Sequence, residues 1–105
     1  MPKVPKLSLY KQHVQRWKSC TACKLCETRK KVVMYRGDVP CDILFIGEAP
    51  GPSEDVIGQP FIGPAGHLLD RIIDKAIQPY RKVNPNISFR KVFTNLVCFI
   101  PKAEE

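Results

Sequence analysis

The stretch that decides the fold is DILFIGEAPG, Asp42 to Gly51, in which one acid is followed by four apolar residues and the run stops abruptly at Gly47. An uninterrupted apolar run of this length has the pattern of a strand buried on both faces, as in a parallel sheet. The residues from Gly47 to Gly66 are punctuated by Gly51, Gly58 and Gly63 and by Pro50, Pro52, Pro60 and Pro64, which predicts a long loop. Loops of that length in a compact domain are more often functional than idle. From Ala65 the apolar positions Leu68, Leu69, Ile72, Ile73, Ala76 and Ile77 recur at helical spacing, predicting a helix that packs on a sheet and ends at Pro79. A basic linker containing Pro85 leads to a second apolar strand, Val92 to Val97, before Pro101. Strand, glycine-rich loop, helix and strand make a βαβ unit, which implies a parallel sheet with a site at the carboxyl ends of its strands.

Upstream, Leu7 to Ser19 lacks Gly and Pro and places Leu9, His13 or Val14, and Trp17 at helical spacing, so a short amphipathic helix is expected to deliver Cys20 at its end. Cys20 to Lys31 is basic and cysteine-rich without a clear period, and Val32 to Tyr35 is a short β-prone run closed by a turn at Gly37 and Asp38. There is no internal repeat or low-complexity tract. A chain of 105 residues supports one small domain, residues 1–105. A doubly wound sheet would need more strands and covering helices than these, so the expected architecture is a partial α/β domain, truncated at its C-terminal side.

The formal charge is +7, from 17 Lys and Arg against 10 Asp and Glu, and ten of those 17 cations lie between Lys3 and Arg36. Cations concentrated in this way suit a polyanionic partner, nucleic acid above all, because each one placed near a phosphate releases a condensed counterion. No apolar run approaches the ~20 residues of a membrane-spanning helix, and Met1 to Leu7 alternates Lys and Pro. The expected location is intracellular, in the cytoplasm. Five cysteines, an odd number, then argue against a disulfide framework and for metal, cluster or buried thiols.

Cys20, Cys23 and Cys26 form a C-x2-C-x2-C array whose thiolates can converge on one zinc ion or one iron-sulfur cluster, and spacing alone does not separate the two. The bacterial ferredoxin run is not matched, since Lys30 stands where its fourth cysteine would be. Cys98 ends the second strand, separated from Cys23 by 74 residues, and by itself reads as a core thiol, as does Cys41. In the loop, glycines directly after a buried strand let backbone N–H groups approach a phosphate or a polar ring, with the N-terminus of the following helix nearby. Neither a dinucleotide fingerprint nor a Walker A loop is present.

GEAPGxxED at Gly47 to Asp55, GQPFIGPAGHLLDRII at Gly58 to Ile73, C-x2-C upstream and TNLVC at Thr94 to Cys98 together resemble the family 4 uracil-DNA glycosylases, enzymes with a 4Fe-4S cluster. The resemblance spans Cys20 to Pro101. Related family 5 enzymes start this loop with Leu in place of Glu48, and mismatch-specific relatives carry Asn in place of Ala49. The resemblance implies a uracil-DNA glycosylase of base-excision repair, a hydrolase that flips uracil out of damaged DNA and cleaves its N-glycosidic bond. It implies that Gly47, Glu48 and Ala49 line the uracil pocket, that Phe61 stacks on the ring, and that the Asn95 amide reads the base edge. Glu48 and Asn95 would then be the catalytic pair, and Cys20, Cys23 and Cys98 three of the four cluster ligands.

A base taken out of the stack needs an aromatic face and a side-chain amide to select it, so Phe61 and Asn95 have physical reasons beside the likeness. Glu48, Glu54 or Asp55 could offset positive charge developing on the sugar or orient water. Ala49 offers no base where some other glycosylases carry Asp or Asn. The family's fourth cysteine and its His-Pro motif fall beyond the Cys98 strand, and neither His13 nor His67 matches that histidine. Cys26 could stand in as a ligand. Two rival readings remain: a non-catalytic iron-sulfur or zinc DNA-binding module, and an enzyme on nucleotides or phosphoesters using the same loop.

Overall fold

The computed structural model describes residues 6–101. Its elements are α1 (Lys6–Trp17), a 3-10 turn (Lys24–Glu27), β1 (Tyr35–Gly37), β2 (Ile43–Gly47), α2 (Pro52–Ile57), α3 (Pro64–Val83) and β3 (Lys91–Asn95). The expected βαβ unit is present: β2 and β3 pair in parallel, with Ile43 opposite Lys91 and Gly47 opposite Asn95, and α3 makes the crossover. The run ending at Tyr35 forms β1, which pairs antiparallel with the other side of β3, Tyr35 opposite Thr94 and Gly37 opposite Val92. The strand order is β1-β3-β2, so the sheet is mixed and β3 is its central strand.

Central position explains burial. Val92 and Phe93, on opposite faces of β3, are 6% and 0% exposed, and Phe93 stacks on Phe45 of β2 with ring centroids 5.0 Å apart. Ile73 and Ile77 of α3 are buried with them. On the opposite face, His13 and Val14 of α1 border a cleft with Met34, Leu44 and Val92.

Two expectations are corrected. Strand β2 is not buried on both faces: Ile43, Leu44 and Ile46 are 43%, 51% and 56% exposed. It pairs with β3 alone, so it is an edge among the described residues, and an apolar groove of about 710 Å³ runs between it and Leu69, Ile72 and Ile77 of α3. Helix α3 also does not end at Pro79 but continues through it to Val83. Proline costs the bond to the carbonyl of Lys75, and both residues are exposed, so water can satisfy that carbonyl. Within the predicted loop, Pro52–Ile57 closes into α2, with Pro52 in its first turn and Gly58 in the left-handed conformation at its C-cap.

Candidate functional site

At the carboxyl ends of β2 and β3 the chain stays paired beyond the sheet. Leu96 N–H donates to the Gly47 carbonyl at 2.9 Å and Val97 N–H to the Glu48 carbonyl at 3.0 Å, which fixes the glycine-rich loop against the strand-end turn. The opening bounded by these ends, α2 and the start of α3 is a pocket of about 140 Å³ lined by Gly47, Glu48, Ala49, Glu54, Phe61, Ala65, Gly66 and Asn95. That is well below the ~300 Å³ of a small drug-sized site and fits a single small ring. All five residues predicted to bind the base therefore meet in one place.

Close approach dictates the glycines here. A Cβ on Gly47 would lie 2.5 Å from Asn95 Oδ1 and 2.6 Å from the Phe61 ring, so only glycine lets amide and ring flank the strand end. A Cβ on Gly66 would overlap the Phe61 backbone, which is how the first turn of α3 seats against the aromatic residue. Phe61 adopts φ +56°, a left-handed backbone that costs a bulky residue about 1–3 kcal/mol. Its ring lies tilted on Phe93, centroids 5.6 Å apart.

The three carboxylates considered from the sequence separate clearly. Asp55 is 5% exposed, and its Oδ1 accepts the backbone N–H groups of Lys30 at 2.8 Å and Lys31 at 3.3 Å, so it braces the basic segment after the cysteines. Glu48 is exposed at the pocket mouth. Glu54 lines the pocket, and its Oε2 is buried with no hydrogen-bond partner among the described residues, between the backbones of Gly51 and Gly63. Such a group is costly unless something else satisfies it. Its sequence signal was only membership of an Asp-Glu pair. His67 is exposed at the first turn of α3 and outside the pocket, whereas His13 lies with Trp17 beside Asn95 and Cys98 in a neighbouring cleft.

The cysteines divide as well. Val33 N–H donates to the Cys98 carbonyl at 2.8 Å, turning the strand end toward the N-terminal segment. The Cys98 thiol is pushed up from its ordinary pKa, chiefly by burial and then by the charges of Cys20 and, less, Cys23, with Arg29 opposing. The charges of Cys20 and Cys23 thus reach Cys98, but among the described residues no three His, Cys, Asp or Glu side chains close into a metal-holding group. Three thiols of this kind have the donor chemistry of a cluster. Ala22 N–H reaches Cys20 Sγ at 3.5 Å, and Arg29 donates from Nη2 to the Cys20 carbonyl at 3.1 Å. The Arg29 Nε is buried without a partner among the described residues, and the Arg29 charge reaches the Cys98 thiol. Cys26 lies in the 3-10 turn and Cys41 before β2.

These features define an α/β protein with a small polar pocket, one aromatic wall and one amide at its strand ends. A family model for the uracil DNA glycosylase superfamily matches residues 34–105, and the chain belongs to that superfamily. It is 47% identical over 60 residues to the type-4 uracil-DNA glycosylase of Saccharolobus solfataricus, a stretch covering 57% of this chain and 28% of that protein. It is 46% identical over 59 residues to the type-4 enzyme of Thermotoga maritima, covering 56% and 31%, and 44% identical over 55 residues to that of Archaeoglobus fulgidus, covering 52% and 28%. The matched stretch thus spans less than a third of each of these relatives. Among the described residues, no helix is long and apolar enough to cross a membrane.

Proposed function

We propose that this chain is the uracil-recognising part of a uracil-DNA glycosylase of intracellular base-excision repair. One observation carries the reading: Gly47, Phe61 and Asn95 converge on a pocket sized for one small ring. Family membership and the names of the relatives support it. The formal charge of +7 suits DNA as the partner.

In this reading the extruded uracil enters the pocket lined by the Phe61 ring and the Gly47-Glu48-Ala49 backbone, and the ring replaces the stacking lost from the duplex. The Asn95 amide offers one acceptor and one donor, which suit the N3–H and O4 of uracil and oppose cytosine. Water then adds its oxygen to the sugar C1′. The C1′–N1 bond breaks with its electron pair passing to uracil, and the proton lost by water balances the departing base. Positive charge accumulates on the sugar, so Glu48 and the Glu54 carboxylate lining the pocket supply the opposite charge where it develops. Cys20, Cys23 and Cys98 would hold a 4Fe-4S cluster, which when bound cross-links the N-terminal segment to the β3 end.

The test is release of free uracil from a uracil-containing single-stranded oligonucleotide by anaerobically purified protein, with an Asn95→Ala control and an iron assay on the same sample. Release that depends on Asn95 supports a glycosylase. Bound iron and DNA affinity without release would favour the non-catalytic binding module, and turnover of free nucleotides would favour the phosphoester reading.

A further inference from the structure

The side chain that holds Phe61 in its left-handed backbone comes from the far edge of the sheet, from a residue that no sequence motif marks. Arg36 lies in β1 and is half-buried. Its Nε donates to the Pro60 carbonyl at 2.8 Å and its Nη2 to the Phe61 carbonyl at 2.9 Å. The same Nη2 meets both carboxylate oxygens of Asp70 in α3 at 3.2 Å, and the guanidinium carbon sits 4.0 Å from the centroid of the Phe93 ring. Phe93 in turn carries the Phe61 ring. One planar group therefore grips the backbone of the aromatic residue from behind while stacking on the ring that supports it.

We infer that Arg36 is a positioning residue for base recognition: anchored by Asp70, it clamps the Pro60–Phe61 carbonyls so that the Phe61 ring stands ready in the pocket. The inference rests on the proposed uracil reading for its consequence, though not for the clamp itself. Without the fork, Phe61 relaxes toward an ordinary negative-φ backbone and its ring leaves the wall beside Gly47. Lysine cannot replace arginine here, because a single ammonium has no planar fork to serve two carbonyls and a carboxylate while lying flat on a ring.

The experiment has two readouts on the same chain. A 4-fluorophenylalanine at position 61 reports the ring's environment by fluorine NMR. The unaltered protein is expected to give one narrow resonance, and Arg36→Met and Arg36→Lys a shifted or exchange-broadened one. The second readout is the ratio of affinities for a single-stranded oligonucleotide carrying one uracil and for the same oligonucleotide carrying cytosine. Both Arg36 variants are expected to lower that ratio about tenfold, with no further loss when combined with Phe61→Ala.

Asp70→Asn, which spares both carbonyl bonds, is expected to fall between and serves if the Arg36 variants do not fold. An unchanged fluorine resonance in folded Arg36→Met overturns the clamp. Lysine restoring the native resonance and ratio would show that charge alone suffices and also overturns it. No uracil preference in the unaltered chain sinks the proposed function, while the fluorine signal still decides the clamp.

Discussion

Gly47 and Asn95 face each other at the last register position of the parallel β2–β3 pair, and the Asn95 Oδ1 occupies the space a Cβ on residue 47 would need. The Asn95 amide and the backbone floor of the pocket are therefore set by one sheet register. Gly47→Ala is expected to push Asn95 and Phe61 apart and to lower uracil release about a hundredfold, the scale that a 1 Å misplacement can cost. The chain should remain folded, which circular dichroism and single-turnover kinetics check together.

Asp55 links the pocket loop to the segment that follows the cysteines through the N–H groups of Lys30 and Lys31. Replacing a buried acceptor leaves two donors without a partner. Asp55→Ala is expected to destabilise the protein by about 1–3 kcal/mol, read from urea unfolding, whereas Asp55→Asn keeps an acceptor oxygen and should lose less.

Asp42, just before β2, accepts the backbone N–H of Arg90 at 2.8 Å and its guanidinium Nη2 at 3.2 Å. These hold its carboxyl below the usual carboxylate range, the backbone bond contributing most. A folded pKa below the unfolded one gives stability that is present above the unfolded value, about 4, and lost as pH falls through the folded value. Asp42→Asn should flatten the acid side of the stability profile, and because the pair is exposed the difference should shrink in high salt. Thermal unfolding between about pH 2 and pH 7 at two ionic strengths is the measurement.

For the proposed cluster, serine at Cys20, Cys23 or Cys98 is expected to lower iron per chain after anaerobic reconstitution, and serine at Cys26 or Cys41 to leave it unchanged. Arg29→Met should weaken iron retention without removing a ligand, because it withdraws the half-buried cation whose charge reaches the Cys98 thiol.

What was legible in the sequence was whatever local pattern alone determines. The apolar runs around Phe45 and Phe93 and the α3 stripe follow from period and glycine placement, whereas the meeting of Gly47, Phe61 and Asn95 in one pocket was implied by the resemblance to the family 4 enzymes. What was not legible depends on long-range partners. Continuous hydrophobicity cannot say that β2 has no second neighbour among the described residues, so its exposure was missed. A proline on an exposed helix face costs one bond without ending the helix, so Pro79 misled. Arg36 reads as one more cation until the antiparallel pairing of β1 with β3 carries it to Pro60, Phe61 and Asp70.

The most direct test of the central claim is a titration of the isotope-labelled chain with free uracil, followed by amide NMR, with cytosine as the comparison. The account predicts that uracil shifts the Asn95 side-chain amide and the backbone amides of Glu48, Ala49 and Phe61 in a saturable way, and that cytosine at the same concentration does not. Shifts absent from those four positions, or equal with both bases, would contradict it.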